Sequence, residues 1–175
     1  MSSVVYKIAD RHDMERRWDY LVNIHPGNSM WTTFRDNALK QFDEGNIVTY
    51  MCILDGEPIS ELSAYMNECP FEGDISDPSG LMSDSCIYLA AFRTNREYQG
   101  MGYFSRLFSF ACDDLRNKGY SELSLGVGPD NIKAMEIYFH FGFTEYIKTL
   151  IEYYQSSDGS GEPEEDVIIF YKKHI

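Results

Sequence analysis

Gln99-Gly100-Met101-Gly102-Tyr103-Phe104 is the stretch on which the fold turns. A short apolar run, Ile87 to Phe92, comes before it, and a long amphipathic run, Tyr103 to Lys118, comes after it. Glycines at a strand-to-helix junction let a ligand approach the backbone closely, because they carry no Cβ. The first turn of the helix that follows presents N–H groups without intrahelical partners and a partial positive charge. Such a loop is a natural phosphate cradle, although glycines alone also describe an ordinary turn.

Downstream, Phe104, Leu107, Phe108, Ala111, Cys112 and Leu115 fall on one face of a helix that Lys118-Gly119 closes. Leu123 to Val127 reads as a strand. Gly128-Pro129 breaks it, and Asp130 is the expected cap of a helix from about Asn131 to Phe141, ended by Gly142. Phe143 to Tyr154 and Val167 to Lys172 read as strands around an acidic Ser- and Gly-rich hairpin loop, 155–165. Upstream, Cys86 to Thr94 is apolar at most positions, as a central strand would be. Before it, residues 67–85 are rich in Asn, Pro, Gly, Asp and Ser and read as a long loop. Ile47 to Leu54 and Ile59 to Met66 form a hairpin about Asp55-Gly56. A first strand over 3–9 precedes two helices. Asp13 caps the first, with Met14, Trp18, Leu21 and Val22; Ser29 caps the second, with Met30, Phe34, Ala38 and Phe42 on one face. The order β-α-α-β-β-β-α-β-α-β-β is mixed α/β. It predicts one domain over 1–175, a mixed central sheet with helices on both faces, and one right-handed strand–helix–strand crossover.

Composition narrows the partners. The 175 residues include 28 acidic and 15 basic side chains, a net charge of −13. Nucleic acid is disfavoured, since phosphate contacts need Lys and Arg. A cationic substrate such as an amine is favoured, although acidity also simply aids solubility. No apolar run is long enough to span a membrane, and the N-terminus does not read as a signal peptide, so the expected compartment is cytoplasmic. Cys52, Cys69, Cys86 and Cys112 show no CxxC spacing, so no redox pair and no metal site is expected.

Two motifs together resemble the GNAT superfamily of N-acetyltransferases. The family's phosphate loop runs Gln/Arg-x-x-Gly-x-Gly/Ala; Gln99 and Gly102 match, and Phe104 stands where a small residue is usual. The family's next helix often carries Asn-x-x-Ala-x-x-x-Tyr-x-x-x-Gly-Phe, present here in full as Asn131, Ala134, Tyr138, Gly142 and Phe143. The resemblance covers roughly 86–143. It implies a GNAT fold with a splayed parallel strand pair and acetyl-CoA as cosubstrate. It places Phe92, Arg93, Thr94, Gln99, Gly100, Met101, Gly102, Tyr103, Phe104, Asn131, Ala134 and Tyr138 at the cofactor. Asn131 either bonds the cofactor or caps its helix. With Phe104 in place of a small residue, its ring is expected to turn toward Leu107 and Phe108. Backbone N–H groups from Phe92 to Thr94 would hold the oxyanion. Tyr138 matches the family's general acid, which protonates the departing thiolate. The base is not fixed by a motif; Glu61 and Glu68 are the candidates.

The resulting expectation is an N-acetyltransferase that moves acetyl from acetyl-CoA to a primary amine by direct attack. Its acceptor is expected to be a small molecule rather than a protein, and the chain a monomer or homodimer. Trp18, Trp31 and Phe34 would line the acceptor or pack the core. The alternative of another class is a non-catalytic acyl-CoA-binding regulatory module of the same fold, and a third is an unrelated α/β domain in which the loop is only a turn.

Overall fold

The computed structural model describes residues 3–72, 75–155 and 163–175. Its elements are β1 (Val4–Ile8), α1 (Arg11–Asn23), α2 (Ser29–Asp43), β2 (Ile47–Leu54), β3 (Glu57–Tyr65), β4 (Cys86–Thr94), α3 (Tyr103–Asn117), β5 (Glu122–Val127), α4 (Ile132–His140), β6 (Glu145–Gln155) and β7 (Pro163–His174). The strands form a mixed seven-stranded sheet in the order β1-β2-β3-β4-β5-β7-β6, with β4 and β5 parallel. This is the α/β architecture that the element order predicts, with β4 at the centre. The acidic loop lies outside the described residues over 156–162. None of the described helices is long and apolar enough to cross a membrane.

The chain divides into two compact units, 1–70 with 90–118, and 71–89 with 119–175. In the first, β2 separates two packed faces because its side chains alternate. Ile47 and Met51 join Met14, Trp18 and Leu21 of α1 in one buried cluster. Tyr50, between them, points the other way: its phenol donates to Asp114 of α3 at 2.6 Å, and its ring meets Phe110 edge-on. Helices therefore cover both faces of this half of the sheet. The β2–β3 hairpin turns at Asp55 (φ 49°) and Gly56 (φ 86°), two left-handed residues that suit Asp-Gly.

The helix caps correct the sequence reading in three places. Asp10, not Asp13, caps α1: Asp10 accepts from the Asp13 N–H, and Asp13 returns the bond to the Asp10 N–H, a reciprocal capping box. Asn28, not Ser29, caps α2. Asn131, not Asp130, caps α4 by accepting from the Ala134 N–H. In each case two capping side chains lie close together in the sequence, and the cap is the one whose own backbone is non-helical. The buried stripe of α2 also shifts. Trp31, Ala38, Leu39 and Phe42 pack on the core, while Met30 and Phe34 are exposed.

In the second unit β5 pairs with the start of β4 over Cys86↔Glu122 to Tyr88↔Ser124, and then with β7 along its whole length. The last strand β7 thus lies between β5 and β6. Phe143 and Phe170 are fully buried. Lys173 Nζ donates to the Phe141 carbonyl at 2.9 Å, placing a cation at the C-terminal end of α4.

The α1 cap makes stability depend on acid pH. The Asp13 N–H, and then Lys7, hold the Asp10 carboxyl down at about 2. Its folded value is depressed, so its contribution is complete above the unfolded value near 4 and is lost as pH falls toward 2. Asp10→Asn keeps a capping oxygen but does not titrate in this range. Wild type should be the more stable of the two at pH 7 by urea unfolding, and the difference should vanish as pH approaches 2. A difference that stays constant from pH 7 to pH 2.5 would contradict the assignment.

Candidate active site

The loop before α3 is built as the sequence requires. Gly100 (φ 75°) and Gly102 (φ 79°) are left-handed, and a Cβ added to either would meet nothing within 4 Å. The glycines are there for backbone conformation, and the space beside them is open. Gly102 is the N-cap of α3, and no side chain caps that helix. Gly102 therefore gives the N–H groups of that first turn no side-chain acceptor. Met101 is exposed. The Phe104 ring lies 5.1 Å from Phe92 and 6.4 Å from Phe108, so it packs along the helix into the sheet and leaves the glycines uncovered.

The C-terminal end of β4 is tied to this loop. Gln99 Nε2 donates to the Thr94 carbonyl at 3.0 Å. Ser60 Oγ donates to the Arg93 carbonyl at 3.0 Å and lies 2.7 Å from Thr94 Oγ1. The Asn95 N–H donates to the Ile59 carbonyl at 2.9 Å. Within β4, Ala91 has φ 59°, a left-handed alanine that costs about 1–2 kcal/mol and interrupts the regular strand just before Phe92–Thr94. The pairing with β5 ends at Tyr88↔Ser124, although β4 runs on to Thr94 and β5 to Val127. The parallel pair that the resemblance implied is present, and its pairing stops short of both strand ends.

Glu61 is almost wholly buried on β3. Its Oε1 lies 3.1 Å from both Arg93 Nη1 and Arg17 Nε. The contact with Arg93 is an aligned hydrogen bond, whereas Arg17 Nε makes an ion pair by distance without a hydrogen-bond direction. Arg17, also buried, donates through Nη1 to the Pro58 carbonyl at 3.3 Å and to Asn95 Oδ1. The Arg93 guanidinium lies over Trp18 (5.1 Å) and Trp31 (5.8 Å). Glu68, the other carboxylate singled out, is exposed in the turn after β3.

Arg17 and Asn95 were missed by the sequence reading. The signal was present: Arg17 sits with Met14, Trp18 and Leu21 at i, i+3, i+4 and i+7, a cation on an apolar stripe. A buried guanidinium demands a buried acceptor, and Glu61 is it.

In the other unit, Asn131 and Ala134 form the cap of α4, and Tyr138 is half-buried with its ring 6.4 Å from Phe143. The cap contact realises one of the two readings open for Asn131. Among the described residues no cluster of His, Cys, Asp and Glu could hold a metal ion.

A family model described as the acetyltransferase (GNAT) family matches residues 13–143, three-quarters of the chain and both motifs. The chain belongs to this family. Sixty-seven residues are 36% identical to N-alpha-acetyltransferase 30 of Schizosaccharomyces pombe, a match over 38% of this chain and 44% of that protein's length. Among solved structures, Arabidopsis thaliana NAA60 in complex with acetyl-CoA superposes with a TM-score of 0.67 at 16% identity, over 99% of each chain. An N-acetyltransferase from Staphylococcus aureus Mu50 superposes at 0.65 and 13% identity, over 98% of each. At these identities the structural likeness establishes a shared fold.

The Arg17–Glu61 pair gives a direct stability test. Leaving a buried charge without its partner costs about 3–5 kcal/mol. Glu61→Gln, which strands the buried Arg17 guanidinium, should lose that much in denaturant unfolding, and adding Arg17→Met should recover part of it. A loss below about 1 kcal/mol for Glu61→Gln would show that the pair contributes little.

Proposed function

We propose that the chain acts as one acetyltransferase domain over 1–175, transferring acetyl from acetyl-CoA to a primary amine. The observation that carries this is the uncapped first turn of α3 behind two left-handed glycines with open space beside them. An anionic pyrophosphate satisfies both the N–H groups and the helix dipole there. The residues present fit it: Gly100, Gly102, Tyr103 and Phe104 offer backbone N–H groups, and Phe104 directs its ring away toward Phe92 and Phe108. The acetyl-CoA complexes of Arabidopsis NAA60 and of the Salmonella typhimurium protein yncA, which share the fold, support the same ligand.

Acetyl-CoA supplies the acetyl group as a thioester, whose thiolate a neutral amine displaces. The protein's part is proton and charge handling. N–H groups of β4 between Phe92 and Thr94 face the developing oxyanion, in the segment that Ala91 takes out of regular strand geometry. Tyr138 gives its phenolic proton to the departing sulfur. Glu61 or Glu68 takes the proton lost by the amine, through water. The likeness to N-alpha-acetyltransferase 30 supports an α-amino group among the acceptors, beside the small amines that net charge favours.

Acetyl-CoA should raise the melting temperature of the purified chain, by mass action on the folded state. A broad panel of small amines and short peptides should then release free CoA, detected as thiol. Tyr138→Phe should lower kcat by about 10²-fold or more. Acetyl-CoA binding without CoA release from any amine would instead make the chain a non-catalytic acyl-CoA binder. No thermal shift with acetyl-CoA would overturn the reading altogether.

A further inference from the structure

We propose that Arg93 is a specificity-determining residue for the acceptor, and that the preferred acceptor is a primary amine that also carries a carboxylate. This rests on the transferase reading above. Phe92 and Arg93 are consecutive on β4, so their side chains leave opposite faces of the sheet. Phe92 packs on Phe104 and Phe108 of α3, the helix whose first turn forms the phosphate cradle. Arg93 faces α1 and α2, over Trp18 and Trp31. A donor held at the α3 terminus lies on the Phe92 side, which leaves the Arg93 side for the second substrate.

The charge count around Arg93 does not close. Two guanidiniums, Arg17 and Arg93, share one carboxylate, Glu61. Arg17 is buried and spends its other contacts on neutral oxygens, the Pro58 carbonyl and the Asn95 side chain. Among the described residues no second carboxylate pairs with either. One positive charge is left over, in a chain whose net charge is −13. It is carried to the surface by Arg93, whose side chain is 32% exposed against 1% for Arg17. A partly desolvated cation without its own anion is costly, and a ligand carboxylate offsets that cost.

The guanidinium is also held ready. Glu61 fixes Nη1 at 3.1 Å, and the two indoles lie beneath the guanidinium. Trp31 is itself stacked on His25 at 3.8 Å and 8°, and met edge-on by Phe34. Such a clamped fork can receive a carboxylate without first losing side-chain freedom. Overall acidity favours a cationic amine, while the local field at the end of β4 favours an anionic group on the same molecule.

The test compares ω-amino acids (glycine, β-alanine, aminobutyrate, aminohexanoate), each against its own amide, in two readouts. In turnover, the best carboxylate should exceed its amide in kcat/KM by about tenfold or more, and Arg93→Gln should bring that ratio to about one. In binding, tryptophan emission should respond saturably to the carboxylate and not to the amide. The chain's two tryptophans both lie beneath Arg93, so no turnover is needed to read occupancy. Arg93→Gln should abolish that response. Equal treatment of carboxylate and amide by the wild-type chain, or a ratio unchanged in Arg93→Gln, would overturn the proposal. Should Arg93→Gln not melt cooperatively, the wild-type comparison decides, with Arg93→Lys expected to keep only part of the preference. A fluorescence response without CoA release would sustain the carboxylate site and refute the transferase reading. CoA release from amides as fast as from acids would do the reverse.

Discussion

The first turn of α3 has no side-chain cap, and the rest of the site depends on that. Gly102 at the N-cap can offer the helix no side-chain oxygen, and its left-handed backbone admits few other residues without strain. Most helix starts satisfy their orphan N–H groups with Ser, Thr, Asp or Asn. The chain does so at α1, α2 and α4, using Asp10, Asn28 and Asn131. Among the described α-helices, α3 alone starts without a side-chain cap, and that is the feature the proposed anion site rests on.

Holding that terminus in place is the work of β4. Gln99 ties the loop back to Thr94, Ser60 ties Arg93 and Thr94 to β3, and Asn95 ties the strand end to Ile59 and to Arg17. The left-handed Ala91 lies just upstream of these ties, in the segment where the strand has already left its pairing with β5. Strain of this kind persists where surrounding bonds over-determine the backbone. The Arg17–Glu61–Arg93 cluster is part of the same bracing, joining α1 to β3 and β4.

Much of this was legible from residues alone, for reasons specific to each element. Ile47–Leu54 and Cys86–Thr94 have the predicted bounds because their apolar runs stop at strong turn residues. The α3 stripe holds because Leu107, Phe108, Ala111, Cys112 and Leu115 are all buried at helical spacing. The GNAT motifs identified the family that the match over 13–143 establishes. What was not legible depended on three-dimensional competition. Asp10 against Asp13, and Asn131 against Asp130, are choices between equally competent caps a few residues apart. Glu61 was named only as a candidate base; its burial against Arg17 was not legible because the two are 44 residues apart and only folding brings them to 3.1 Å. The first half of the α2 stripe was misplaced because Trp31, not Met30, is held by His25 and Arg93, while Ala38 and Phe42 pack on the core as read.

The proposed function requires that backbone N–H groups at the start of α3 bind the pyrophosphate of CoA. Amide resonances of a ¹⁵N-labelled chain test it most directly, titrated with CoA and, separately, with pantetheine, which shares the thiol arm but has no phosphate. The account predicts that Gly100, Gly102, Tyr103 and Phe104 amides shift strongly and saturably with CoA and stay in place with pantetheine. Equal shifts with both ligands, or CoA shifts confined to other parts of the chain, would contradict it.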